Sequence, residues 1–284
     1  LGGLALALAV IVSATFAAVF LCCEGSLYVR AFALVLAALT SAVCWAARPQ
    51  ILSFFLTGIF LYILHLYKWR RVDRLYLIPM LFILWVNSHG GFVVGFILLG
   101  LYIAGELANN LMGLGDAPIL GGRQILTLIG VAVVSVGAAL VNPRTYKILD
   151  YPLATVGIGA LQDFIQEWAS PDFHQLYQQP FLWMLFVLMA VMALSRFRGD
   201  FTDLGLVVVF GYMSLLAVRN MALFALMAAP VLARHGDSAL RQLLDAFRQR
   251  TPWGPWLDRL LARRFPCTPL MIALHWTLLS ALAL

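Results

Sequence analysis

Apolar residues run along this chain in blocks roughly 15 to 20 long, broken by short polar clusters, without the strict alternation of half-buried strands. A helix needs about 20 mostly apolar residues to cross the hydrocarbon core of a bilayer. The blocks predict membrane helices near residues 3–22, 27–46, 50–67, 75–86, 91–108, 124–141, 180–195, 203–218, 220–233 and 268–284. The fold class is all-α, a polytopic transmembrane helical bundle of about ten helices with short helices paired as hairpins. Its parts are a bundle over 1–236 with an external loop at 142–180, a basic amphipathic segment at 237–266 and a C-terminal membrane helix at 267–284.

Two stretches, 75–108 and 203–233, read either as hairpins or as single kinked crossings. As single helices they would be about 50 and 46 Å long, against a hydrocarbon core of about 30 Å. Length favours hairpins, although a helix over 75–86 then reaches only about 18 Å, short unless protein surrounds its tip or the bilayer thins.

Composition gives the solvent. Of 284 residues, 63% are hydrophobic and 11% charged, with a mean hydropathy of +0.92, far from the balance of a water-soluble domain. Soluble-enzyme motifs such as GxGxxG, a Walker loop, HExxH and GxSxG are absent. The four cysteines, Cys22, Cys23, Cys44 and Cys267, lack ligand spacing and read as structural thiols. The chain enters an apolar run at Leu1 without a Met, a basic leader or a small-residue cleavage site, which suggests truncation rather than a signal peptide.

Basic loops stay cytoplasmic, so "YKWRRVDR" (67–74), "SRFRGD" (195–200) and the stretch from Arg234 to Arg264 anchor the topology. Alternation from these loops leaves all but Arg48, Arg144, Lys147 and Arg219 of the 19 basic residues inside. The net charge of +6 then reads as orientation and attraction to anionic lipid, without nucleic acid. Within 237–266, Leu240, Leu243, Leu244 and Phe247 share a face suited to the cytoplasmic leaflet.

On this topology five polar breaks collect on the outer face: "ARPQ" (47–50), "NSHGG" (87–91), "VNPRTYK" (141–147), "FIQEWASPDFH" (164–174) and "VRN" (218–220). Polar groups at membrane depth are costly and face a cavity or a partner, so their clustering suggests a site. Each break also has a plainer reading. Arg48 can snorkel to headgroups, His89 can be satisfied beside its Gly-Gly turn, Asn142-Pro143 can stop a helix and Trp168 can anchor at the interface. The loop from 142 to 180 carries Asp150, Asp163, Glu167 and Asp172, and its apolar part, "ILDYPLATVGIGALQDFI", suits an interfacial or re-entrant piece. "PDFH" offers Asp172 and His174 to a divalent ion.

Four segments, "RPQILSFFLTGIFLYIL", "LYLIPMLFILWVNSHGGFVVGFILLGLYIAGE", "VNPRTYKILDYPLATVGIGALQDFIQEWASPDF" and "AVRNMALFALMAAPVLARH", resemble in this order a family of bacterial multi-pass membrane proteins that are similar to GT-C-type glycosyltransferases. The resemblance covers roughly residues 40 to 236. It implies a GT-C-like fold in the bacterial cytoplasmic (inner) membrane and a polyprenyl-phosphate-linked sugar as donor at the outer, periplasmic side. It also implies an acidic first external loop, which would lie before residue 1, so this chain would be catalytically incomplete.

Under that resemblance Glu167, Asp172 and His89 are the catalytic candidates, with Glu167 or Asp172 a supporting acid or a ligand to Mg or Mn. Arg48 and Arg219 would grip phosphate, because a guanidinium matches its geometry in a bidentate way. Asn87 and His89 would bond sugar or phosphate, Gly90 and Gly91 would let backbone approach, Trp168 would stack on a sugar face, and Asn142 and Asn220 would line the site. Membrane lipid and the lipid-linked donor are the expected partners. The alternatives are a transporter or flippase of a lipid-linked or small polar substrate, for which broken helices with polar tips serve equally well, and a non-catalytic membrane scaffold.

Overall fold

The computed structural model describes residues 2–113, 115–150 and 165–250. Contacts divide the chain into two compact units, Leu1–Leu240 and Arg241–Leu284. The described residues form helices joined by irregular connections, without strands, and six of the helices are long and apolar enough to cross a membrane. Helices occupy nine of the ten predicted positions, and the tenth, 268–284, lies outside the described residues, as do residues 151–164 with Asp163 and most of the apolar loop stretch, and Cys267.

In chain order the helices are α1 (Gly2–Cys22), α2 (Leu27–Ser41), α3 (Gln50–His65), α4 (Leu77–Ser88), α5 (Val93–Met112), α6 (Gly122–Ala139), α7 (Gln179–Leu194), α8 (Phe201–Leu216) and α9 (Met221–Arg250). Both disputed stretches break and fold back. After Ser88 the chain turns through an extended His89 and a single 3₁₀ turn at Gly90–Phe92 before α5 starts. An aromatic wedge holds α4 and α5 beside α3: the ring of Phe82 lies 4.2 Å from Phe96 and 5.1 Å from Phe60, which in turn meets Trp85 at 5.1 Å. Gly95 makes room, since a Cβ there would fall 2.8 Å from Phe82. The second break, Val218–Asn220, separates α8 from α9, and Phe224 of α9 packs back over Gly211 of α8.

The first part of α9 is the axle of the bundle, with Phe224 to Ala233 fully buried. A helix buried on every side has no lipid-facing stripe, and its apolar stretch is only about 20 Å long. Protein therefore replaces lipid around it, whereas the short α4 buries one face, with Ile78, Phe82, Trp85 and Val86, and exposes Met80 and Leu84. The helix continues unbroken past residue 236, where a boundary was expected, and the unit boundary falls after Leu240. In the second unit Leu243 and Phe247 are exposed and Arg248 pairs with Asp245 at 3.4 Å.

Alternation of the helices gathers the connections at two ends. One end, called here the tip end, holds residues 42–49, 87–92, 140–148, 166–178 and 217–220. The other, the basic-loop end, holds 23–26, 66–74, 106–113, 115–121, 195–203 and 234–238. Hydrogen bonds tie each set together, for example Asn87 Nδ2 to the Val141 carbonyl (2.8 Å) at the first and Ser26 N to Asp237 Oδ1 (2.8 Å) at the second. At the basic-loop end Gly25 has φ of 110°, a conformation that favours glycine, and the side chain of Asp237 fills the space a Cβ would need.

Candidate functional site

At the tip end, the break in "NSHGG" sets the imidazole of His89 over α3. Trp85 Nε1 donates to Ser53 Oγ at 2.7 Å, which leaves the Ser53 hydroxyl to donate to His89 Nδ1, also at 2.7 Å. The Gly91 N–H adds a second donor to Nδ1 at 3.1 Å. With two donors on Nδ1, the ring is neutral and carries its hydrogen on Nε2. Burial, followed by the field of Arg219, holds the His89 pKa below its ordinary value and keeps the ring neutral. Gly91 is required for this geometry, because a Cβ would lie 2.5 Å from Ser53 Oγ and 3.0 Å from His89 Nδ1.

Next to the tip, residues 166–170 are fastened to 216–220 through Val218 N to the Ala169 carbonyl at 3.0 Å. This brings Arg219 over the indole of Trp168, 4.2 Å from guanidinium carbon to ring centroid, a cation–π contact. Glu167, one residue earlier, pairs with Arg48. Cys44 Sγ donates to the Arg219 carbonyl at 3.4 Å, joining the end of α2 to the same assembly. Arg48 is 61% exposed and Glu167 34%, so this pair is water-screened and contributes at most about 1 kcal/mol. It opens readily.

The predicted site residues thus fall into two groups. Arg48, Glu167, Trp168 and Arg219 form one connected set, with His89 within the field of Arg219. Asn87, Asn142 and Asn220 instead fasten backbone: Asn87 and Asn142 join α4 to the end of α6, and Asn220 caps α8 through the Met213 carbonyl at 2.8 Å. Gly90 begins the turn that aims His89. Asp172 lies exposed and bonds inside its own loop, to His174 N at 3.0 Å and Gln175 Nε2 at 3.2 Å. Those donors hold its carboxyl below the usual range, and they turn "PDFH" into a loop turn rather than a ligand pair. Among the described residues no three His, Cys, Asp or Glu side chains gather as metal ligands.

Chemically, the set of Arg48, His89, Glu167, Trp168 and Arg219 offers two guanidinium groups, one imidazole N–H and one carboxylate beside an indole. That set suits an anion carried next to a polar, ring-shaped group. With Nδ1 already occupied, His89 has its Nε2–H left as a hydrogen-bond donor. Glu167 is the only catalytic candidate whose carboxylate belongs to this set.

The basic-loop end departs further from expectation. Lys68, read from "YKWRRVDR" as part of a solvated loop, is 1% exposed and pairs with both Glu106 and Asp200. A π-helical turn over Leu66–Arg70 ends α3 and closes on a left-handed Arg71, whose guanidinium is bonded to Gln124 and to the Ile119 carbonyl. The wider turn directs Lys68 inward. Arg234 is likewise buried, on Asp203 at 2.6 Å with its guanidinium over Trp69. Sequence carried one signal of this cluster: Glu106, followed by Asn109 and Asn110, interrupts the apolar run of α5. An ionisable residue inside such a run is a functional candidate by default.

Comparison of the chain with protein-family models, curated proteins and solved structures finds no match.

Proposed function

We propose that this chain is an integral membrane, glycosyltransferase-like protein that moves a sugar from a polyprenyl-phosphate carrier at the outer face of the bacterial inner membrane, in the manner of the GT-C enzymes it resembles. One juxtaposition carries the proposal: Arg219 stacked on Trp168, within whose field His89 presents an Nε2–H, between apolar helices. In this reading Arg219 and Arg48 take the carrier phosphate, and His89 donates to a phosphate or sugar oxygen. Transfer of Arg48 from Glu167 to phosphate frees that carboxylate to accept the proton of the acceptor hydroxyl as its oxygen attacks the anomeric carbon. Charge on the departing phosphate is offset by the two guanidinium groups.

The test is transfer from a polyprenyl-phosphate hexose by the full reading frame in liposomes. Arg219→Lys keeps the charge but loses the fork and the stack, so transfer should fall roughly 10- to 100-fold at unchanged membrane insertion. Equal transfer by both proteins would remove Arg219 from the donor site. A second reading, a transporter or flippase, is favoured by the buried ionic cluster at the opposite end. It predicts exchange of a fluorescent lipid-linked sugar between leaflets without any transfer.

A further inference from the structure

The basic-loop end buries more negative than positive charge. Lys68 joins Glu106 to Asp200, and Arg234 pairs with Asp203, so three carboxylates face two cations. All five side chains are at least nine-tenths buried. At the rim, Arg70 lies 3.6 Å from Glu24, and Asp237 accepts from Ser26 N. Neither contact adds a cation to the five. An uncompensated carboxylate in such surroundings neutralises rather than remain charged.

Hydrogen bonding distinguishes the three. Glu106 uses both oxygens on four donors: Oε1 on Lys68, on Asn109 Nδ2 (3.1 Å) and on Thr202 Oγ1 (2.8 Å), and Oε2 on Leu120 N (2.6 Å). Four donors fill the acceptor sites of its two oxygens. Asp200 takes Lys68 on Oδ2, and its Oδ1 caps α8 on Asp203 N at 2.8 Å. Asp203 meets Arg234 through Oδ2 and lines a cavity large enough for about one water molecule. Asp200 and Asp203 sit one turn apart, and the Asp200 carboxyl stands above its ordinary range because of burial first and Asp203 second.

The same cavity receives polar atoms without protein partners. Nε and Nη1 of Arg234 and Nε2 of His65 are buried and unmatched, on residues 8% and 2% exposed. Cys22 from α1 and Tyr102 from α5 complete its polar lining, with Trp69 stacked on His65. Nearby, both ring nitrogens of buried His235 are also unmatched, beside the ring of Phe197. A water that accepts from Arg234 and donates toward Asp203 or His65 satisfies these groups and leads to the carboxylate pair.

We propose that this end of the bundle is a proton-binding site, in which one proton on Asp200, one turn from Asp203 and its water seated on Arg234 and His65, offsets the third buried carboxylate. The inference rests on the charge balance of this cluster and is independent of the tip-end reading.

Difference infrared spectroscopy of the full chain in lipid nanodiscs tests it. A protonated-carboxyl C=O band is expected at neutral pH, lost as pH is raised, and removed or shifted in both Asp200→Asn and Asp203→Asn. Asp172→Asn, in an exposed loop, should leave it unchanged. A spectrum without a titrating carboxyl band, or a band that persists unaltered in both variants, overturns the proposal. Should either variant fail to fold, titration of the wild-type band decides alone, because its absence is sufficient to refute.

Discussion

Replacing Lys68 by Met keeps an unbranched stem of similar length and removes only the ammonium, which joins Glu106 and Asp200 at 1% exposure. Packing changes little, since Met adapts to irregular space. The electrostatic consequence is large, because two buried carboxylates lose their common cation. Breaking a buried pair by removing one partner costs about 3–5 kcal/mol. For a chain of this size each kcal/mol lowers Tm by about 2–4 °C, which gives a fall of about 10 °C. The assay is thermal unfolding in nanodiscs, read by a thiol-reactive dye on Cys22 and Cys23, which are 0% and 2% exposed in the fold. The sign with pH also follows. Without Lys68 the carboxyls titrate higher in the folded state than in the unfolded one. That stabilising protonation is complete below the unfolded value of about 4 and is lost as pH rises through the folded one. The deficit should therefore be larger at pH 8 than at pH 5, both round figures bracketing neutrality. Arg48→Met, at an exposed pair, should shift Tm by less than about 2 °C. A Lys68→Met melting curve indistinguishable from wild type at both pH values would refute the reasoning.

Gly105→Ala should destabilise by about 2 kcal/mol despite the better helix propensity of Ala, because its Cβ would lie 2.6 Å from the Thr202 Cα and 2.7 Å from the Thr202 N, backbone atoms that cannot swing aside. The same thermal assay checks this, and a rise in Tm would contradict it. His89, whose folded pKa is depressed, contributes stability that is present above about pH 6.5 and lost as pH falls toward the folded value. His89→Gln should therefore flatten the acid limb of the stability profile, and an acid limb of unchanged slope would show that the ring does not titrate as inferred.

The helices were legible because each is a block of apolar residues ended by groups that lipid cannot satisfy. The hairpins were legible because 75–108 and 203–233 are too long for one crossing. At the tip end, Arg48, Glu167, Trp168 and Arg219 come together from connections that alternation had already assigned to one face. The partners that orient His89 were not legible. Ser53 and Trp85 look like ordinary members of apolar runs, and only the turn at Gly90–Gly91 brings them under the ring. Lys68 and Arg234 were misread for a different reason. Charge bias reports which side of the membrane a loop lies on, but not whether a particular side chain turns inward, and here the π-helical turn and the buried α9 decide that. Asn87, Asn142 and Asn220 show the converse: polar residues at helix ends, read as ligand groups, spend their amides on neighbouring backbone.

The central claim, that the tip end receives a lipid-linked phosphate, is tested most directly by a photoreactive polyprenyl phosphate incorporated with the protein into nanodiscs, with crosslinked peptides mapped by mass spectrometry. The account predicts labelling on peptides that carry Arg48, His89, Trp168 and Arg219, reduced roughly tenfold or more in the Arg219→Ala protein, as loss of a charge-assisted contact requires. Labelling confined to peptides of the basic-loop end, or tip-end labelling that Arg219→Ala leaves unchanged, would contradict it.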